Sequence, residues 1–148
     1  MPYEAAGRCW RGALQPSREE PVRKFLAQKV QPDNYFLIGD LALTDMGLGD
    51  KAAALALSES ALATNPIEKD AVRGPIPIQI LARVAERMGE PDRAIAALQK
   101  VLSIPHAGAL TPPLTPALLR LDPMFDPLRN DPRFQKLVAS PAPKSAEK

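Results

Sequence analysis

The chain has 148 residues, of which 45% are hydrophobic and 24% are charged, a composition typical of a folded globular protein. Nineteen Lys and Arg against seventeen Asp and Glu give a net charge of +2, with the two signs interspersed. This balance argues against a basic surface for nucleic acid or for a membrane. The length predicts one structural unit rather than two.

Cysteine content and hydropathy indicate the cellular setting. Cys9 is the only cysteine, so the fold cannot depend on an intramolecular disulfide, and we expect a cytoplasmic protein. The N-terminus lacks an apolar stretch of signal-peptide length. The longest run of small apolar residues, 52–57, is far shorter than the roughly 20 residues that cross a bilayer. No membrane contact is therefore expected.

The first predicted helix covers residues 18–30, after a segment of mixed signals at 1–16 that we expect to be weakly ordered. Ser17 and Glu20 have the spacing of a helix N-terminus, and Pro21 falls in the first turn, where proline is tolerated. The apolar residues Val22, Phe25, Leu26 and Val30 form one stripe. Such a stripe requires a neighbouring helix to cover it.

The stretch Tyr35–Pro66 predicts two antiparallel helices that turn at residues 47–50. Its first half has a broad apolar face, which includes Phe36, Leu37 and Leu41. The second helix is predicted over 51–64, and small alanines on it allow close approach to the first. Asn65-Pro66 ends the hairpin, because proline cannot continue a helix.

A second hairpin is predicted beyond a longer connection at 67–74. Its helices are expected at about 76–88 and 93–103, with a turn at 89–92. Pro32 and Pro66 are 34 residues apart, and Gly49 and Gly89 are 40 apart. Spacings of this size indicate stacked repeats rather than one compact bundle.

The remaining residues are rich in proline and predict a loop to about Leu114, followed by two short helices. Thr115-Pro116 and Asp131-Pro132 combine a capping residue with a first-turn proline, which predicts helices at 116–120 and 132–139. Residues 140–148 have little to bury, so we expect a disordered tail.

The two hairpins resemble the tetratricopeptide repeat, whose pattern places small and large apolar residues around a Leu-Gly, a turn and a closing proline. The first copy supplies Ile38, Leu41, Ala42, Asp45, Gly49, Asp50, Ala54, Ser58, Ala61 and Pro66. The second supplies Ile78, Leu81, Ala82, Ala85, Gly89, Glu90, Ala94, Leu98, Val101 and Pro105. Asp45 and Ser58 stand where the family usually has aromatic residues.

This resemblance implies an all-α fold: a right-handed array of about two and a half helical hairpins with a short C-terminal helical cap. The expected divisions are the weakly ordered segment 1–16, the repeats 17–105, the cap 106–139 and the tail 140–148. The stretch Leu118–Leu137 looks like an ending found in bacterial multidomain proteins, in which such repeats follow a regulatory or signalling module. No residues here resemble a phosphate-binding loop or a kinase catalytic loop.

Few residues have side chains that could form a catalytic or metal-binding site. One Cys and one His, Cys9 and His106, have no spacing that would build a metal site or a catalytic pair. Asp122, Asp126 and Asp131 lack the glycine and the bidentate glutamate of a calcium loop, so helix capping is expected. Arg120, Arg129 and Arg133 are expected to pair with these aspartates rather than to bind a ligand. We therefore expect no catalysis, metal or cofactor.

In a stacked array, the first helix of each hairpin lines the concave face, where partners usually bind. This geometry gives a candidate partner groove of mixed apolar and charged character, formed by Phe36, Leu43, Met46, Gln79, Arg83, Glu86 and Arg87. It would suit a peptide with an acidic feature or a free carboxylate. The alternative is that the N-terminal segment covers Phe36, Leu43 and Met46.

The sequence therefore predicts a non-catalytic scaffold that binds a protein or peptide, with the partner and the oligomeric state left open. One alternative is a regulatory segment of a bacterial signalling or transcription-control protein. A second is RNA binding by a related helical repeat, which would require a continuous basic face that a net charge of +2 does not favour.

Overall fold

The computed structural model describes residues 33–106 and 112–139, and in these ranges the chain is helical without a strand. The helices are α1 Tyr35–Leu48, α2 Lys51–Thr64, α3 Pro75–Arg87, α4 Pro91–Leu102, α5 Pro116–Leu121, a 3-10 helix Pro123–Leu128, and α6 Pro132–Ala139. The predictions for 1–16, 18–30 and 140–148 lie outside the described residues.

Side-chain caps and a glycine define the first hairpin. Asn34 Oδ1 accepts hydrogen bonds from the N–H groups of Phe36 and Leu37 and so begins α1. Gly49 follows α1 with φ of 82°, a left-handed conformation that glycine adopts without steric cost. Asp50 Oδ1 then accepts from the Ala53 N–H and begins α2. The turn therefore needs only Gly49 and Asp50.

The second hairpin repeats this turn 40 residues later. The Asp50 N–H bonds to the Asp45 carbonyl at 2.9 Å, and the Glu90 N–H bonds to the Ala85 carbonyl at 2.8 Å. Gly89 has φ of 74° and occupies the position of Gly49. The buried residues of the pattern also correspond at this offset: Ala42 with Ala82, Ala54 with Ala94, Ser58 with Leu98, and Ala61 with Val101. The described hairpins are thus two copies of one unit.

Helix α3 is the centre of the described structure. It contacts α1, α2, α4 and the 3-10 helix, and eleven of its thirteen residues are buried. One apolar side, which includes Ile76, Ile80 and Val84, packs with α1 and α2. The other, which includes Ile78 and Ala82, packs with α4 and the C-terminal residues. Helix α3 of the second hairpin therefore contributes to the core on both of its sides.

Residues 112–139, called the C-terminal segment below, continue the core of the second hairpin. Five of their apolar side chains are almost fully buried in the same cluster as α3 and α4: Leu114, Leu119, Phe125, Leu128 and Phe134. The rings of Phe125 and Phe134 lie 6.3 Å apart between centroids. Arg133 of α6 also forms an ion pair with Asp92 of α4 at 2.8 Å. The segment is therefore an integral layer of the fold.

The all-α class and both hairpins are confirmed, with small differences at the helix ends. Helix α2 has the predicted bounds, α3 starts one residue earlier, and α4 starts at Pro91 because proline is accepted at the first helical position. The 3-10 helix was not predicted, although Asp122-Pro123 repeats the cap-and-proline signal of Thr115-Pro116.

Candidate functional site

The structure separates the seven residues of the candidate groove into two groups. Gln79, Arg83 and Glu86 follow one another on one face of α3 and are buried, with exposed fractions of 2%, 5% and 7%. The other four are half-buried or exposed: Phe36, Leu43 and Met46 on α1, and Arg87 at the end of α3. The face of α3 formed by Gln79, Arg83 and Glu86 is therefore closed to an external partner.

The C-terminal segment covers the α3 face. Arg83 Nη2 donates a hydrogen bond to the Pro112 carbonyl at 2.9 Å. The Leu114 N–H donates to Gln79 Oε1 at 3.4 Å, and the Leu114 side chain is fully buried. Two side chains of α3 thus hold the backbone on both sides of Pro113. A covering by the N-terminal segment was the predicted alternative for the α1 residues, but on α3 it is the C-terminal segment that closes the face.

His106 adds a third side-chain contact to this backbone. Its Nε2 lies 2.7 Å from the Leu114 carbonyl oxygen and its Nδ1 lies 3.0 Å from the Ile104 carbonyl oxygen. Both neighbours are carbonyl oxygens, which accept hydrogen bonds from a ring N–H. His106 joins the end of the second hairpin to the start of the C-terminal segment, which is a structural role.

Arg83 and Glu86 retain buried polar atoms that lack a hydrogen-bond partner, namely Arg83 Nη1 and Glu86 Oε2. Burial lowers the pKa of Arg83, and the nearby negative charge of Asp122 opposes that shift. Buried polar atoms without partners are uncommon, and each one costs free energy. The polar face of α3 is therefore covered at some cost to stability.

Among the carboxyl groups of the described residues, Glu86 has the pKa that is shifted most. Burial raises the pKa of its carboxyl from 4.5 to about 7. The Arg87 charge opposes this change in pKa, while the carboxylates of Asp122 and Asp126 add to it. Asp122 caps the 3-10 helix and Asp126 lies within it, so the C-terminal segment brings like charges towards Glu86.

Two of the three α1 residues of the candidate groove occupy positions equivalent to groove residues of α3. At the 40-residue offset, Leu43 corresponds to Arg83 and Met46 to Glu86. Leu43, Met46 and Phe36 pack against the core between α1, α2 and α3, and each stays only partly buried. This face of α1 is apolar where the equivalent face of α3 is charged.

Asp122, Asp131, Arg129 and Arg133 of the C-terminal segment have the structural roles that the sequence predicts. Asp122 Oδ1 accepts from the Met124 N–H, and Asp131 Oδ1 accepts from the Arg133 N–H. Arg129 pairs with Asp126 at 2.6 Å, and Arg133 pairs with Asp131 at 2.7 Å. Arg120 is exposed on α5, and Cys9 lies outside the described residues. Residues 33–106 and 112–139 contain no cluster of His, Cys, Asp and Glu suited to a metal ion.

Comparison with protein-family models, curated proteins and solved structures found no match to this chain. In the described ranges, no helix has both the length and the apolar character required to span a membrane. The described residues define an all-helical fold in which a helical hairpin occurs twice.

Proposed function

We propose that this chain is a non-catalytic scaffold of the tetratricopeptide-repeat type, which binds a protein or peptide in the cytoplasm. The observation that carries the proposal is the repeated hairpin, whose turn hydrogen bonds and buried small residues recur 40 residues apart. Repeated units that stack on their neighbours create extended surfaces, and binding is their usual use. The right-handed superhelix and its concave face belong to this proposal.

The partner is proposed to bind on the α1 side of the array. The equivalent face of α3 is filled by the C-terminal segment, whereas Leu43 and Met46 on α1 remain partly accessible. Arg87 is exposed at the end of α3 and offers a positive charge. An apolar peptide with an acidic group suits this combination, because apolar side chains provide affinity and a charge fixes orientation.

The test is capture of partners on the immobilised chain from a lysate of the source organism, with and without nuclease, followed by affinity measurement on the purified partner. Arg87→Glu and Met46→Ser are expected to weaken binding about tenfold each, a typical loss for one interface contact. Lys100→Glu is the matched control, because Lys100 is exposed on α4, a helix that packs against α3 and α6.

Circular dichroism of each variant separates loss of binding from loss of fold. Recovery of nucleic acid without protein would contradict the proposed function. If the wild type, Arg87→Glu and Met46→Ser bind the partner with equal affinity, the chain is still a binding scaffold, but the partner binds on another surface.

A further inference from the structure

The buried carboxyl of Glu86 lies where the 3-10 helix packs on α3, and the proposed binding of a partner does not explain its position. Glu86 is 7% exposed, and its Oε2 has no hydrogen-bond partner. The 3-10 helix packs on α3, and its half-buried Asp122 and exposed Asp126 add negative charge near Glu86. Burial penalises the charged form of Glu86 most, and these two negative charges add to the penalty.

The positive charges around this interface do not neutralise Glu86 by direct pairing. Arg87 acts on Glu86 from the same helix but is exposed, while Arg83, one turn earlier, donates its hydrogen bond to the Pro112 carbonyl. Arg129 is paired with Asp126 at 2.6 Å. A proton on Glu86 is the simplest way to remove its charge from the interface.

We propose that protonation of Glu86 controls how tightly the C-terminal segment is attached to α3, so that the segment is held more firmly at mildly acidic pH than at neutral pH. The protonated carboxyl removes one of the three like charges and the cost of burying an ion. The ionised carboxyl favours an opening of the interface, in which water reaches Glu86 and the two aspartates move away.

The pH range follows from the two states of Glu86. Its pKa is about 7 with the segment attached, and it returns towards 4.5 when the segment opens and Glu86 meets water. The raised pKa means that attachment is strongest below about 4.5, weakens as pH rises to about 7, and is constant above that. Over this interval the equilibrium constant for opening is expected to rise on the order of a hundredfold.

The proposal is tested by amide hydrogen exchange of the full chain across this pH interval, corrected for intrinsic exchange rates. The amides of Leu119, Phe125 and Leu128 report on the segment, and that of Ala54 reports on the first hairpin. We expect protection of the three segment amides to fall with rising pH. In Glu86→Gln, which imitates the protonated carboxyl, it is expected to stay high and flat.

Glu68→Gln is the matched control, because Glu68 is exposed in the connection between α2 and α3. It should reproduce the wild-type dependence. The proposal is overturned if Glu86→Gln has the same pH dependence as the wild type, or if all four amides change together in both proteins. If Glu86→Gln does not fold, the carboxyl 13C titration of Glu86 in the wild type decides, and a midpoint near 4.5 overturns the proposal.

Discussion

Arg83 of α3 donates a hydrogen bond from Nη2 to the backbone carbonyl of Pro112, 29 residues later, at 2.9 Å. Arg83 is 5% exposed, and the other terminal nitrogen of its guanidinium has no partner. A residue that the sequence places in an open binding groove is thus used to hold the chain's own C-terminal segment. This contact determines which part of the repeat surface remains available.

Arg83→Ala is expected to destabilise the fold by about 1 to 3 kcal/mol. The substitution removes a charge-assisted hydrogen bond and the packing of a long buried side chain, and loss of the desolvated charge offsets part of the cost. Urea unfolding at neutral pH, followed by circular dichroism, measures the change.

Arg93→Ala is the matched comparison, because Arg93 bonds to Glu59 at 2.7 Å on an exposed surface. An exposed pair of this kind is expected to contribute less than about 1 kcal/mol. Equal losses in the two variants would show that Arg83 contributes no more than a surface residue.

Alanine substitutions at the glycines are expected to lower the free energy of unfolding by two different amounts. A Cβ at Gly74 would lie 2.5 Å from the Asp70 carbonyl oxygen and 2.5 Å from the Ile67 Cα, both backbone atoms that cannot rotate away. Gly74→Ala is therefore expected to cost about 2 kcal/mol or more in the free energy of unfolding.

Gly49→Ala meets no such atoms, but it must adopt φ of 82°, which costs about 1 kcal/mol. Gly89→Ala should cost the same as Gly49→Ala, because the turn is repeated. Urea unfolding of the three variants tests this order, and it fails if Gly74→Ala is the mildest.

These contacts also show what the sequence could and could not predict. The bounds of α2 follow from local signals: Asp50 caps its start and Pro66 prevents its continuation. The burial of Gln79 and Glu86 depends on residues more than 30 positions away that lie across α3. Their spacing on the helix correctly places them on one face, but no local pattern shows that the C-terminal segment covers this face.

Local sequence patterns also fail to show that α3 has a second apolar side. Ile78, Ala82 and Ala85, which belong to the second copy of the repeat pattern, are buried with α4. Ile76, Ile80 and Val84 form another face against the first hairpin. A helix enclosed by neighbours is buried on several sides, whereas the periodic spacing of apolar residues most clearly indicates a single buried stripe.

Phe125→Ala is expected to cost about 3 to 5 kcal/mol, because the ring is fully buried and removal of a buried aromatic ring leaves a cavity. It also removes the contact with Phe134, which belongs to α6. Leu121→Ala, at a residue 79% exposed on α5, should change stability by less than about 0.5 kcal/mol. Thermal unfolding checks both, and a mild Phe125→Ala would contradict an integral C-terminal segment.

Glu86→Gln is expected to change how global stability depends on pH. The folded pKa of Glu86, about 7, lies above its ordinary 4.5, so the wild type loses stability as pH rises between these values. The full loss corresponds to about 3 kcal/mol, at about 1.4 kcal/mol for each pH unit. Gln cannot ionise, so the variant should not undergo this loss.

The stability of the two proteins should therefore be similar near pH 4.5 and diverge towards pH 7, with the variant more stable at neutral pH. Urea unfolding of both proteins over this range gives the difference directly, since the two proteins differ only at residue 86. Glu68→Gln should follow the wild type throughout. Parallel curves for the wild type and Glu86→Gln would show that the Glu86 carboxyl titrates alike in the folded and unfolded chain.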